Sequence, residues 1–271
     1  MSGMEMSRAE VNGMSACCWV YREQKLHRAS SLFEALGLDE DEPAVISVVG
    51  GGGKTTTLHR LADEYVRAGK KVVAATTTHI QKEDEPWFLA DPSAEEVKES
   101  LERYGQTWVG TPVRGGRLGQ MEDQLFSQIL SWKIPVLIEA DGARRHPMKI
   151  PAGHEPVIIP QTTHLLNVYG IETVGKTMEE VCFRLELAEQ FLGKTRSEQI
   201  TYGDIVKLAS SEQAGKKGCP DGAKYTVVIN KADRESQRQD ALEICRLLEK
   251  AGIKHVVVTG RCGEVSCAGE E

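Results

Sequence analysis

Four consecutive glycines followed by a lysine and three threonines, Gly50-Gly51-Gly52-Gly53-Lys54-Thr55-Thr56-Thr57, constrain this 271-residue chain more than any other stretch. They follow residues 44–49 (AVISVV), a continuous apolar run of the kind expected in a strand covered on both faces. They precede residues 55–68, in which Leu58, Leu61, Ala62 and Tyr65 recur at helical spacing and Gly69 lies past the end. A glycine-rich turn between a buried strand and a helix makes a phosphate cradle. The glycines admit positive φ and turn successive N–H groups inward, while the helix N-terminus adds partial positive charge. Lys54 is then expected to reach the β- and γ-phosphates of a nucleotide and the Thr55 hydroxyl to ligate Mg²⁺, with the four glycines and Thr56 lining the loop.

The strict pattern G-x-x-x-x-G-K-[ST] puts glycine at position 48, where this chain has Val48. The turn therefore reads as a shorter variant starting at Gly50, similar to the G-x-x-G-K-T-T loop of Mur-type ligases.

Around this loop strands and helices alternate. Residues 71–75, 134–139, 164–168, 225–229 and 255–258 read as further buried strands. Helical patterns cover residues 93–104, with Ser93 and Glu96 as a capping box, and also 120–130, 178–192, 202–211 and 235–251. Residues 81–92 read as a polar loop and 110–119 as a glycine-rich one. Such alternation predicts an α/β fold, a three-layer, mostly parallel sheet flanked by helices in the manner of P-loop nucleoside triphosphatases. One nucleotide-binding domain is expected over residues 30–271, preceded by a poorly ordered extension over 1–29.

Charge and cysteine usage narrow the function classes. Forty acidic against 33 basic residues give a net charge of −7, which argues against nucleic-acid partners. No stretch reaches the roughly 18 apolar residues of a membrane span, and the N-terminal 29 residues lack the apolar centre of a secretory signal. Seven scattered cysteines do not form a secreted disulfide framework, so a cytoplasmic location is expected.

Two further motifs follow the loop in chain order. Glu139 and Asp141, in VLIEADG, end a buried strand where an acid would hold Mg²⁺ directly or through water, and either could position the attacking water. Which does which stays open at the level of sequence. Asn230-Lys231-Ala232-Asp233 follows a late strand and resembles the N-K-x-D base-recognition motif of GTP-binding proteins. A carboxylate at Asp233 accepts from guanine N1–H and its 2-amino group, donors that adenine lacks, so GTP is favoured over ATP. Thr77 and Thr78, Arg144 and Arg145, His154 and Glu155, and Arg184 are candidates for contacting a substrate or switching with the bound nucleotide.

Together these segments resemble the YqeC family, described as selenium-dependent hydroxylase accessory proteins. The resemblance is carried by residues 31–38 (SLFEALGL), 48–57 (VVGGGGKTTT), 75–80 (ATTTHI), 139–143 (EADGA), 145–160 (RHPMKIPAGHEPVIIP) and 228–233 (VINKAD). Residues 182–186 (CFRLE) depart from the family's H-R-P-E, although Arg184 and Glu186 keep their places. The resemblance implies a nucleotide-dependent maturation factor whose partner is a molybdenum hydroxylase or a protein assembling its cofactor.

The leading expectation is a Mg²⁺-dependent triphosphatase. One alternative is an ATP-dependent ligase or kinase-like enzyme that transfers phosphoryl to a small acid or cofactor precursor. A second is a non-catalytic, nucleotide-gated binding module.

Overall fold

The computed structural model describes residues 16–39 and 42–261. Its centre is a parallel sheet whose strands carry the apolar runs of the sequence: β3 (Val45–Gly50), β4 (Val72–Thr76), β7 (Gln106–Val113), β9 (Val136–Glu139), β11 (His164–Gly170), β13 (Lys224–Asn230) and β14 (Val256–Arg261). Their spatial order is β14-β13-β11-β3-β9-β4-β7, with every neighbouring pair parallel. The α/β class expected from the alternation is what the chain adopts.

Alternate residues of each strand enter opposite layers, as a strand's two-residue period requires. Ile46, Val48, Leu166, Val168 and Val228 pack with α2 (Lys54–Arg67), whose Leu58, Leu61, Ala62 and Tyr65 are fully buried, and with α1 (Leu32–Leu36). On the opposite face, Val49, Val73 and Ile138 meet α3 (Ala94–Tyr104) and α4 (Asp123–Ser131). Farther along that face, Val227, Ile229 and Val258 meet α7 (Tyr202–Ser210) and α8 (Glu235–Lys250). The predicted capping box on α3 forms, Ser93 accepting from the Glu96 N–H and Glu96 from the Ser93 N–H.

Three expectations are corrected. Residues 16–29 are no loose extension: β1 (Ala16–Arg22) and β2 (Lys25–Ala29) form a hairpin that pairs antiparallel with β14 and completes one edge of the sheet. Residues 1–15 lie outside the described residues. The segment expected as a glycine-rich loop belongs largely to β7 and β8 (Arg117–Gly119), an antiparallel hairpin turning through Gly115 and Gly116, both at positive φ. β8 in turn pairs with β5 (His79–Gln81), and β6 (Phe88–Ala90) joins β7.

The single helix expected over 178–192 is divided. α5 (Met178–Val181) gives way to β12 (Cys182–Phe183), which pairs with β10 (Met148–Lys149), and α6 (Leu185–Leu192) follows. Helical periodicity runs through the break. A two-residue strand pairing and the left-handed Arg184 (φ 65°) override it.

Register brings the sites together. Val48 and Thr76 both pair with Glu139, Gly50 pairs with Val168, and Gly170 with Asn230. The carboxyl ends of β4, β9, β3, β11 and β13 therefore share one sheet edge. The chain passes from β9 on one side of β3 to β11 on the other, the kind of switch point where open α/β sheets receive ligands.

Candidate functional site at the carboxyl edge of the sheet

Gly50 ends β3 and Gly53 caps α2, so the four glycines form the whole connection. Packing explains why no side chain fits there. A Cβ on Gly50 would lie 2.4 Å from Val168 O, one on Gly51 2.6 Å from His146 O, and one on Gly52 2.3 Å from Gly170 N. Gly53 is tightest, at φ 131° with a Cβ that would fall 2.1 Å from Asn230 Nδ2. The loop is thus held from beneath by β11 and from the side by the segment around His146. Gly51 N–H donates to Val168 O (2.9 Å) and Gly52 N–H to His146 O (3.3 Å). The first intrahelical bond of α2 runs from Thr57 N–H to Gly53 O, leaving the N–H groups of Lys54, Thr55 and Thr56 as first-turn donors with no carbonyl in the helix.

Lys54 is buried at the start of α2. Its ammonium donates to Gly50 O (2.7 Å) and lies 3.1 Å from Asp141 Oδ1. Thr55 Oγ1 donates to Glu139 Oε2 at 2.7 Å. Burial pushes the Glu139 carboxyl above its ordinary range, against the pull of Lys54 and the Thr55 hydroxyl. Such a carboxylate is short of compensating positive charge. Asp141 is differently placed. It accepts from the Gly50 N–H (3.0 Å) and is flanked by Lys54 and by Lys149, 3.0 Å away. The two acids are close neighbours with separate duties: Glu139 faces the first turn of α2, and Asp141 ties the loop to two lysines.

Lys149 has no counterpart among the residues singled out from sequence. Almost completely buried in β10, it bonds Gly142 O (2.8 Å) and Glu155 Oε2 (2.5 Å) as well as Asp141. Arg184 closes a fork on the other side of Glu155, with Nη2 donating to Oε1 at 2.9 Å and Nη1 bonding Oε2. Lys54, Asp141, Lys149, Glu155 and Arg184 thus form a continuous ladder of alternating charge leading away from the glycine loop. Burial alone would raise the Glu155 carboxyl, but Arg184 and Lys149 outweigh it and hold that group at about 2. Only a search for a buried cation to balance Asp141 and Glu155 would have found Lys149 from sequence.

The remaining candidates divide. Asn230, at the end of β13, donates through Nδ2 to Gly52 O (2.8 Å) and accepts through Oδ1 from Thr259 Oγ1 (2.7 Å), tying the loop to β14. Asp233 is exposed and accepts from the Arg261 N–H (2.7 Å), while Lys231, at φ 66°, pairs with Glu172. Thr77 is held near the acid strand, its N–H on Glu139 O and its hydroxyl on Val157 O (2.7 Å). Thr78 folds back on Thr76. His154 is exposed, one residue from the buried Glu155, and stands apart from the ladder. Arg144 and Arg145 are exposed, both with left-handed backbones. Among the described residues no three His, Cys, Asp or Glu side chains cluster as a metal site, and no helix is long and apolar enough to cross a membrane.

Comparison with known proteins bears on the same segments. The sequence model of a family described as "YqeC protein" matches residues 46–186, from β3 through the ladder. A relative from Escherichia coli (strain K12), described as "Uncharacterized protein YqeC", is 31% identical over 226 residues, covering 81% of this chain and 87% of that protein.

Proposed function

The chain belongs to the YqeC family, and from that premise and the geometry of the glycine loop we propose that it is a Mg²⁺-dependent P-loop triphosphatase taking GTP in preference to ATP. The observation that carries this reading is the 2.7 Å contact between the Thr55 hydroxyl and the buried Glu139 carboxylate, beside the Lys54 ammonium. A hydroxyl and an under-compensated carboxylate are the hard oxygen donors that suit Mg²⁺, and the first-turn N–H groups of α2 suit phosphate oxygens. When bound, Mg²⁺ supplies positive charge to the phosphate oxygens. Thr55 and Glu139 are the residues that would hold it.

The chain's own groups do the rest. Lys54 moves from Gly50 O and Asp141 onto the β- and γ-phosphate oxygens and stabilises the charge that develops as the β–γ bridge breaks. Water oxygen bonds to the γ-phosphorus, its proton passing to an oxygen of the phosphate product, and the diphosphate leaves with the bridging oxygen. Asp141, bonded to Gly50 N–H and Lys149, keeps the loop in shape while Lys54 is engaged. Asn230 holds the loop's last turn, and Asp233, exposed beside it, accepts from the guanine edge.

Displacement of a labelled nucleotide by unlabelled GTP and ATP, with Mg²⁺, tests this directly. GTP should displace at lower concentration, Asp233→Asn should erase the preference, and Lys54→Ala should abolish binding and phosphate release. Failure of both triphosphates to bind overturns the proposal. The partner side, a molybdenum hydroxylase or a protein assembling its cofactor, rests on the family resemblance alone. A second reading, phosphoryl transfer to a small acid, is favoured by the exposed Arg144 and Arg145, which have no carboxylate partner among the described residues.

A further inference from the structure

Arg144 and Arg145 combine exposed guanidiniums with left-handed backbone. Despite 40 acidic residues and a net charge of −7, neither guanidinium has a carboxylate or carbonyl partner among the described residues. Both adopt left-handed backbone, φ 46° and 65°, and so does Arg184 at φ 65°. Non-glycine residues rarely take that conformation, which costs about 1–3 kcal/mol each and persists where surrounding structure enforces it, often at binding sites.

Here the enforcement is visible. The segment after Arg145 is fastened to the glycine loop by Gly52 N–H on His146 O and to β11 by Gly170 N–H on Pro147 O. Two residues on, β10 pairs with β12, which delivers Phe183 and Arg184 to the same place. Phe183 becomes the hub. The His146 ring stacks on it at 5.9 Å, the Arg144 guanidinium lies 5.2 Å from its centroid, and that of Arg184 lies 4.8 Å away. Arg184 is committed to Glu155, so the uncompensated charges are those of Arg144 and Arg145.

We infer that Arg144, presented on the His146–Phe183 platform beside the glycine loop, and its exposed neighbour Arg145 form a binding site for the carboxylate or phosphate group of a second small molecule. Guanidiniums offer paired donors matched to such oxyanions, and the aromatic platform restricts how Arg144 is aimed. The role of this molecule as a second substrate rests on the nucleotide reading above; the anion site itself does not.

Calorimetric titration of the full-length protein with citrate, and separately with inorganic phosphate, distinguishes the two oxyanion sources. The probe that binds identifies the class. Binding should weaken at least tenfold in R144Q/R145Q, persist in R114Q/R117Q, which removes two exposed arginines of the β7–β8 hairpin, and persist in K54A. Three results overturn the inference: neither probe binds the wild type, the R144Q/R145Q protein binds as tightly, or K54A alone abolishes binding, which would place the anion in the glycine loop. Should no triphosphate bind the protein while R144Q/R145Q still abolishes citrate or phosphate binding, the nucleotide reading fails and the anion site stands.

Discussion

Replacing Lys149 by methionine isolates the central rung of the charge ladder, because methionine keeps most of the volume and removes the ammonium. That ammonium touches three acceptors, Gly142 O, Asp141 and Glu155, with almost no exposure to water. Removing one partner of a buried ion pair typically costs about 3–5 kcal/mol, since the remaining charge stays desolvated. Asp141 would keep Lys54 and the Gly50 N–H, and Glu155 would keep Arg184, so the lower half of that range is expected.

The pH dependence supplies an independent check. The Glu155 carboxyl stands at about 2 in the folded protein against an ordinary 4.5. A lowered value means stability that is complete above the unfolded value and is lost as pH falls from 4.5 through 2. That interval is worth at most about 3–4 kcal/mol, shared between Lys149 and Arg184. Urea unfolding followed by circular dichroism should find Lys149→Met less stable by about 3 kcal/mol at neutral pH, with the deficit shrinking at acid pH as Glu155 protonates. Adding Glu155→Gln to Lys149→Met should recover part of the loss. A deficit below about 1 kcal/mol at neutral pH, or one independent of pH, would refute the ladder as a cooperative unit.

Two further outcomes follow from the same edge of the sheet. The Glu139 carboxyl is raised by burial, so its ionisation costs folding stability as pH rises above the ordinary carboxylate range. Glu139→Gln should therefore melt higher than wild type above neutral pH while losing Mg²⁺-dependent nucleotide affinity; a lower melting temperature would contradict the assignment. Gly53→Ala, at φ 131° against Asn230 Nδ2, should cost about 1–3 kcal/mol in thermal unfolding and weaken nucleotide binding with it.

The sequence was most readable where local pattern and tertiary role coincide. The β3–glycine–α2 unit is announced by an apolar run, a loop without side chains and a helical stripe, and Asn230 by its place after another apolar run. Reading failed where long-range pairing decides. β1 and β2 alternate too weakly to stand out, and they become strands because β14 offers an open edge. Four glycines within residues 110–119 suggest a loop, yet Gly110 sits in β7, where the close approach of Gly119 O, 2.4 Å from where a Cβ would stand, admits only glycine. The site shows the same division. Glu155 and Arg184 are visible as polar residues in odd places, whereas their connection to Lys54 depends on Lys149, an ordinary lysine until the two-residue strand carrying it is buried.

The grip of Lys54 on Asp141 and Gly50 O sets a threshold for whatever the loop is to hold. A ligand gains that cation only by outbidding an internal anion already in contact with it. One carrying a single weak charge should leave the native contact intact, whereas a densely charged tail should displace it. On the nucleotide reading proposed above, the loop would screen ligands by charge density before any feature of a base is examined.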